Sequence, residues 1–252
     1  MLKERVTGYK RHSMRQIYAI LLKELGTFFR SLHGYLTISI YLVFVGGMVF
    51  YLNDVLTQRH VDFRIFFFWA AVGLLILAPA LTMRTFAEEN SRGSIEVLMT
   101  LPVADEILIG GKYLSVVAVL FGAVVLTLLY PVSLSFYCTL DWGAVFGGYL
   151  GLLLQGAAFA AVGIAVSSYS QNQMLSFLLT FILCTFPFII GFSLKQVPAE
   201  LLPVVQFLSF EYHFNYLARG VVDSRGVIYY CSVIGVFLHL ALMRLEIRRL
   251  RS

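Results

Sequence analysis

The segment between the second and third apolar stretches carries the side chains best suited to chemistry. It runs from Arg84 to Lys112 and reads RTFAEENSRGSIEVLMTLPVADEILIGGK. Its adjacent carboxylates, Glu88 and Glu89, are of a type used in acid–base catalysis, which also requires partner groups within hydrogen-bond reach. Because charges at this density are costly in hydrocarbon, the segment is predicted to lie outside a membrane.

A short helix is predicted within this segment. Ser94 and Glu96 suit its first turn, while Gly93 and Pro102 restrict it to a couple of turns. Beside its acidic residues the helix would carry four apolar side chains, Ile95, Val97, Leu98 and Met99. An exposed apolar patch with an acidic rim is typical of a docking surface for another protein. Packing of the same side chains beneath a helical bundle is the alternative that composition leaves open.

The composition of the chain is that of a membrane protein. Of its 252 residues, 59% are hydrophobic and 13% are charged, and the mean hydropathy is +0.82. Six uncharged segments are long enough to cross about 30 Å of hydrocarbon as helices, namely Tyr35–Leu52, Ile65–Met83, Tyr113–Cys138, Gly143–Val166, Met174–Leu194 and Val227–Met243. The predicted fold class is an all-α polytopic membrane protein, with residues 1–252 forming one domain.

Two further segments are predicted to be helices that do not cross. Met14–Leu32 has an apolar stripe opposite Lys23 and Arg30, so it is expected to lie in the membrane interface before the first span. The Lys195–Gly226 stretch holds Glu211 and His213 between many aromatic residues. Because a seventh span would bury that charge, short helices on the outer leaflet are favoured there.

The distribution of basic residues predicts the orientation of the bundle. Of the 19 Lys and Arg residues, 14 precede the first span, lie between the second and third, or follow the sixth. Cytoplasmic segments are enriched in these residues, so both termini are predicted to be cytoplasmic.

A few residues inside and outside the spans are further candidates. Gly147 and Gly151 have a spacing that lets helices approach closely, either within one protomer or at a dimer seam. Gln155 lies mid-span, and an interhelical hydrogen bond is favoured over contact with a translocation path. Four residues of the outer region are candidates for a gate or for contact with a partner, and local pairing of short helices is the alternative: His213, Phe214, Arg219 and Asp223.

The ordered set of features resembles the ABC-2 type permeases of ABC transporters. An interfacial elbow helix and two spans are followed by a loop of the pattern E-E-x-x-x-G-[ST]-x-E-x-L-x-x-x-P, and Gly111–Lys112 opens the third span. The resemblance implies that this loop is a coupling helix seated in a groove of an ATPase. The coupling residues that it implies are Glu88, Glu89, Arg92, Gly93, Ser94, Ile95, Glu96, Leu98 and Pro102.

The end of the chain is similar more narrowly to permeases of the gliding-motility and nitrous-oxide-reductase-maturation type. The residues that carry this are His213, Phe214, Arg219, Gly220, Asp223, Arg225, Leu245, Glu246, Arg248 and Arg249. The family resemblance implies a permease dimer, two ATPase subunits and often an extracytoplasmic accessory subunit. It also implies a multi-pass protein of the bacterial cytoplasmic membrane, used for export or for mechanical work outside the cell.

The sequence contains no G-x-x-x-x-G-K-[ST] phosphate loop, so ATP and Mg are expected in a partner chain. No catalytic residue, bound cofactor, metal site or nucleic-acid partner is expected here. A rival interpretation is an intramembrane glutamate-type protease, whose signature E-E-x-x-x-R is one residue longer than the spacing from Glu88 to Arg92. That enzyme also needs intramembrane histidines near its carboxylates, whereas His213 and His239 lie elsewhere in the sequence.

Overall fold

The computed structural model describes residues 2–52, 63–91, 93, 103–136, 141–191, 198, 200, 202–218, 220 and 223–249. These residues form eleven α-helices and contain no strand. In chain order the helices are α1 (Leu2–Arg30), α2 (Leu32–Gly47, continued by a π-helical turn, Met48–Leu52), α3 (Phe63–Thr82), α4 (Ala87–Ser91), α5 (Asp105–Leu126), α6 (Leu129–Leu134), α7 (Trp142–Tyr169), α8 (Gln173–Ile190), α9 (Leu202–Leu208), α10 (Phe210–Ala218) and α11 (Ser224–Arg249).

Six stretches of the described chain are long and apolar enough to cross a membrane. They are Leu32–Phe50, Phe63–Ser91, Asp105–Leu134, Trp142–Tyr169, Gln173–Ile190 and Ser224–Arg249. The predicted all-α polytopic fold is therefore confirmed. Two short helices, α9 and α10, stand between the fifth and sixth spans, as expected from the charges of that stretch.

The third span begins earlier than the apolar stretch by which it is recognised in the sequence. Tyr113 was the expected start, but α5 begins at Asp105 and contains Lys112 within its second turn. The charged residues Asp105 and Glu106 stand in the first turn, where the helix dipole favours negative charge. Lys112 is consequently a buried residue of a helix rather than a flanking charge.

The two most enclosed spans form the centre of the bundle. Of an 18-residue window, 72% is buried in α7 and 67% in α3, against 22% in each of α2, α8 and α11. Small residues let α3 and α7 approach, since a Cβ at Gly163 would collide with Thr82 and one at Gly148 with Phe67. The outer helices turn their exposed apolar side chains, such as Met174 and Val43, away from this centre.

The first helix, α1, packs along the start of α5. It is not among the stretches able to span a membrane, which agrees with Lys23, Glu24 and Arg30 in its sequence. The side chain of Ile20 lies against Gly111, where a Cβ would approach Ile20 Cγ2 to 2.7 Å. The chain then reverses at Ser31, whose hydroxyl accepts a hydrogen bond from the N–H of His33 and caps α2.

Candidate functional site

The helix α4 forms the end of the stretch Phe63–Ser91 that contains the second span, and it stands at the start of the polar segment. Met83 to Phe86 form the turn between α3 and α4. At this helix start, the N–H groups of Phe86 and Ala87 both donate to the hydroxyl oxygen of Ser167, at 3.1 and 3.0 Å. The first N–H groups of a helix have no partner within it. Ser167, in the last turn of α7, therefore caps α4 from another span.

Lys112 ties α4 to α5 and α1. Its Nζ atom lies 2.7 Å from Oε1 of Glu89 and 3.5 Å from Oε1 of Glu24, and it also donates to the carbonyl oxygen of Thr85. The ammonium stands 4.8 Å from the ring centroid of Phe86. Only 2% of this side chain is exposed. A buried ammonium requires such pairing, because its desolvation is otherwise costly.

Hydrogen bonds of Asn90 connect α4 to the end of α7 and to α11. Asn90 donates through Nδ2 to the carbonyl oxygen of Ser170 at 2.8 Å, and its Oδ1 accepts a hydrogen bond from Nη1 of Arg248. Nearby, Nη1 of Arg249 lies 3.4 Å from Oδ1 of Asp105 at the start of α5. We call α4 and these partners the α4 clamp; its members are Glu24, Glu89, Asn90, Lys112, Ser167, Ser170 and Arg248.

The α4 clamp is suited to transmitting a displacement. A movement of this five-residue helix would act on α5, α7 and α11, because polar contacts join it to these three. It would act on α1 only through Lys112 of α5, which is paired with Glu24. The α4 clamp is poorly suited to acid–base catalysis, since Glu89 is ion-paired with Lys112. Among the described residues, no group of three His, Cys, Asp or Glu side chains could hold a metal ion.

The predicted coupling residues are only partly within the described structure. Glu88 and Glu89 lie on α4, and Gly93 follows it with a φ of +69°, a conformation that favours glycine. Arg92 and the predicted helix between Gly93 and Pro102 lie outside the described residues, and so do Ser94, Ile95, Glu96 and Leu98. The α4 clamp therefore forms the base of the predicted docking segment.

The two glycines predicted as a close-approach pair, Gly147 and Gly151, both face α10 of the same chain. A Cβ at Gly147 would meet the carbonyl oxygen of Leu217 at 2.5 Å, and one at Gly151 would meet Phe214 Cε2 at 3.1 Å. The close approach of α7 and α10 thus accounts for both glycines within one protomer. A role at a dimer seam stays a prediction.

Gln155 is fully buried on the same helix. Neither its Oε1 nor its Nε2 atom has a hydrogen-bond partner among the described residues. The expected interhelical hydrogen bond is therefore not formed in this structure, and an unsatisfied amide in the interior is costly.

The predicted outer set gathers around α10. Phe214 is buried against Gly151, while His213 and Asp223 line a cavity of about 150 Å³ with Tyr212, Tyr216 and Arg225. Burial lowers the pKa of His213, against the opposing effects of the Phe207 carbonyl and Asp223. Burial also raises the pKa of Glu211, although Asn215 donates a hydrogen bond to its carboxylate. Arg219 lies outside the described residues.

Sequence reasoning missed much of the α4 clamp. Ser167, Ser170 and Asn90 are short polar residues at helix ends, and nothing in their spacing links positions 80 residues apart. Lys112 carried a usable signal, since a lysine directly before a long apolar run must snorkel or find a carboxylate. Arg248 was noted only for its place in the terminal pattern.

Comparison with known proteins assigns the chain to a protein family. A family model described as ABC-2 family transporter protein matches residues 29–187, which extend from the end of α1 almost to the end of α8 and include α4 and Lys112. None of the curated proteins compared with the chain is a significant match. Because the family model covers more than half of the sequence and its six spans are present, the chain belongs to the ABC-2 family of transporter membrane proteins.

Proposed function

We propose that the chain is the permease subunit of an ABC transporter and that ATP hydrolysis by a separate subunit drives it through α4. The observation that carries the proposal is the α4 clamp. The segment expected to dock on the ATPase begins directly after a helix with polar contacts to α5, α7 and α11, and Lys112 of α5 extends these contacts to α1. A displacement of that segment would enter the bundle through α4.

The buried Lys112 links α4 to α1 and α5. It holds Glu89 of α4 and Glu24 of α1 at the level where α5 enters the bundle. Because packed interiors resist compression, a shift of α4 would move α1 and α5 with it rather than be absorbed locally. The cap from Ser167 would carry the same shift to α7, the most enclosed span.

The proposed assembly is the one that the family resemblance implies. Two ATPase subunits, which bind ATP and Mg, would act on a dimer of permeases in a bacterial cytoplasmic membrane, with both termini of the chain inside. The end of the chain supports the gliding-motility or nitrous-oxide-reductase-maturation type, for which an extracytoplasmic accessory subunit is proposed near His213, Phe214, Arg219 and Asp223. The work performed is export or mechanical action outside the cell.

Affinity purification in mild detergent from the native cell tests the proposal. The expected result is a co-purifying P-loop ATPase that Leu98→Asp, in the predicted docking segment, removes. Val204→Asp is the matched control, because Val204 is an exposed apolar residue of α9 at the other end of the bundle. A stable preparation that never contains an ATPase would exclude the proposed function.

A second variant separates docking from transmission. Asn90→Ala removes the contacts of α4 with Ser170 and Arg248 while leaving the docking segment intact. The ATPase is expected to remain bound, but its hydrolysis should no longer respond to the permease. Equal stimulation by wild type and Asn90→Ala would contradict transmission through α4.

A further inference from the structure

Two arginines stand one helical turn apart at the end of the sixth span. Arg244 is the first charged residue after the uncharged run Val227–Met243, and Arg248 follows it on the same face of α11. The 26 residues of this helix have a length of about 39 Å, which exceeds the roughly 30 Å of membrane hydrocarbon. The charged last turns of α11 are therefore expected at the edge of the hydrocarbon, where lipid headgroups begin.

An aromatic ring holds the first of these arginines. The guanidinium carbon of Arg244 lies 5.1 Å from the centroid of the Tyr169 ring, in the last turn of α7. The hydroxyl of Tyr169 in turn donates to the carbonyl oxygen of Leu240, at 3.4 Å. Arg244 is half-buried, and its Nε atom is enclosed without a hydrogen-bond partner among the described residues. The ring thus positions the guanidinium without satisfying its N–H donors.

An uncharged amide holds the second arginine beside the first. Nη1 of Arg248 donates to Oδ1 of Asn90, and Nδ2 of Asn90 donates to the carbonyl oxygen of Ser170. Because Ser170 directly follows Tyr169, both arginines are anchored around the end of α7. A guanidinium has five N–H donors, of which Asn90 engages one. Both side chains are thus oriented by neutral groups and keep donors for a further acceptor.

The charge of the two arginines is not balanced within the described part of the chain. No carboxylate there lies at ion-pairing distance from Arg244 or Arg248. Glu246 is two residues from each of them and so lies on the opposite side of α11. The C-terminal end of α7 supplies only about half a unit of negative charge. Because like charges one turn apart destabilise a helix and half-buried cations need a counter-charge, an anion would stabilise this end of the bundle.

We infer that Arg244 and Arg248 together bind the phosphate group of an anionic phospholipid. Guanidinium groups donate to phosphate oxygens in a two-pronged geometry, and one phosphate has enough oxygens to accept from both side chains. The neighbouring positions of α11 expose Leu240, Met243 and Ile247, which offer an apolar surface to the acyl chains. A choline headgroup would bring its own cation to two uncompensated cations, so a headgroup with net negative charge is favoured. This site does not depend on an ATPase partner.

The experiment uses the full-length protein in nanodiscs made from equal parts of phosphatidylglycerol and phosphatidylcholine. Lipids retained after extraction are counted by native mass spectrometry. Wild type is expected to retain phosphatidylglycerol preferentially, and Arg244→Gln to reduce that retention about tenfold, as for loss of a charge-assisted hydrogen bond. The control is Arg249→Gln, which removes the same charge from the same end of α11, but from a guanidinium that already faces Asp105. It should leave the preference unchanged.

Two variants of Tyr169 test the site without a change of charge. Tyr169→Leu removes the ring that positions Arg244, whereas Tyr169→Phe keeps the ring and loses only the hydroxyl. Because 52% of Tyr169 is exposed, both variants are expected to fold. Only Tyr169→Leu should lower the retention of phosphatidylglycerol. Equal retention of the two lipids by wild type, or equal losses in Arg244→Gln and Arg249→Gln, would overturn the inference.

A soluble ester distinguishes a lipid from a free phosphate as the source of this group. Binding of glycerol 3-phosphate is measured by calorimetry on the protein in nanodiscs of phosphatidylcholine alone. No binding is expected, because the ester lacks the acyl chains that would lie along α11. Binding at micromolar concentration that Arg244→Gln abolishes would confirm the phosphate site but contradict its assignment to a membrane lipid.

Discussion

Lys112 and Glu89 form an ion pair of 2.7 Å between the third span and the short helix that follows the second. The pair is asymmetric, since 2% of the Lys112 side chain and 20% of the Glu89 side chain are exposed. The cost of breaking it therefore depends on which partner is removed. A removed lysine leaves a partly hydrated carboxylate, whereas a removed carboxylate leaves a buried ammonium that still has Glu24 and Thr85.

Replacement of Lys112 tests how strongly this pair holds the α4 clamp. Lys112→Met is expected to lower the free energy of unfolding by about 3 kcal/mol, because Glu89 loses the partner that compensates its partial burial. The double variant Lys112→Met with Glu89→Gln should recover part of that loss, since Glu89 then no longer carries an uncompensated charge, although Glu24 still lacks Lys112. The measurement is thermal unfolding in detergent of wild type, the single variant and the double variant.

A surface pair at the same end of the bundle provides the control for Lys112. Arg249 lies 3.4 Å from Asp105, but 44% of its side chain is exposed. Arg249→Gln should cost no more than about 1 kcal/mol, as exposed pairs do. If Arg249→Gln destabilises the protein as much as Lys112→Met does, burial of the Lys112 pair is not the source of the effect.

Two adjacent serines test the cap that α7 supplies to α4. Ser167→Ala removes the acceptor of two buried N–H groups, so about 2 kcal/mol of stability should be lost. Ser168 is equally buried, but its hydroxyl donates only within α7, to Ala165 at 2.7 Å. Ser168→Ala should therefore change stability by less than about 0.5 kcal/mol. Similar thermal midpoints for the two variants would argue against a cap.

The close approach of α10 to α7 is tested at Gly147. A Cβ there would lie 2.5 Å from the carbonyl oxygen of Leu217, which is backbone and cannot rotate away. Gly147→Ala should cost about 1–3 kcal/mol through displacement of α10. Gly122→Ala, at a position with nothing within 4 Å, should be neutral or stabilising because alanine favours helix. A Gly147→Ala protein that keeps its thermal midpoint but loses its dimer would instead place this glycine at a seam.

The short helix α10 is expected to respond to acid through His213. Burial lowers the pKa of this imidazole below 6.5, so the folded state favours the neutral ring stacked on Tyr229 at 4.2 Å. Its contribution to stability is present above pH 6.5 and is lost as the pH falls through the folded pKa. Asp223 and Arg225 share its cavity, and the Asp223 carboxylate limits the shift.

The measurement is the thermal midpoint of wild type against pH, from neutral to acid. His213→Gln should remove the part of the acid destabilisation that belongs to this ring, whereas His239→Gln, at an exposed position of α11, serves as the control. Glu211 acts in the opposite direction, because its carboxyl pKa is raised in the folded state. Its contribution to stability is present at low pH and is lost as the pH rises through the folded pKa. An acid profile identical in wild type and His213→Gln would refute the assignment.

Much of the fold follows from local properties of the sequence. Membrane spans can be recognised in the sequence because an unpaired charge is costly in hydrocarbon. Tyr35–Leu52 and Gly143–Val166 are therefore visible as uncharged runs. The start of α5 was not visible in this way, since Asp105 to Lys112 are charged at both ends and helical nonetheless. Their burial depends on α1 and α4, which compensate Lys112 from positions distant in the chain.

The position of the candidate site in the sequence could be predicted, but the contacts that hold it could not. Glu88 and Glu89 were recognised from a family-like pattern, yet the partners that hold α4 in place are single polar residues on other helices. Ser167 and Asn90 look like ordinary helix-end residues until the fold places them together. Such pairs are fixed by tertiary packing, for which a single sequence holds no local signal.

Gln155 separates a structural role from a role in translocation. Its amide is fully buried and forms no hydrogen bond among the described residues, so Gln155→Leu, which nearly conserves volume, should keep or raise the thermal midpoint. If the residue only fills space, Gln155→Leu should also leave ATPase stimulation and the cellular function unchanged. A protein that folds with equal or greater stability but loses that function would show that the amide meets a polar partner in another conformation or on the path. A drop in stability of more than about 1 kcal/mol would contradict the unsatisfied state described here, because removal of an unpaired buried amide cannot cost a hydrogen bond that was never formed.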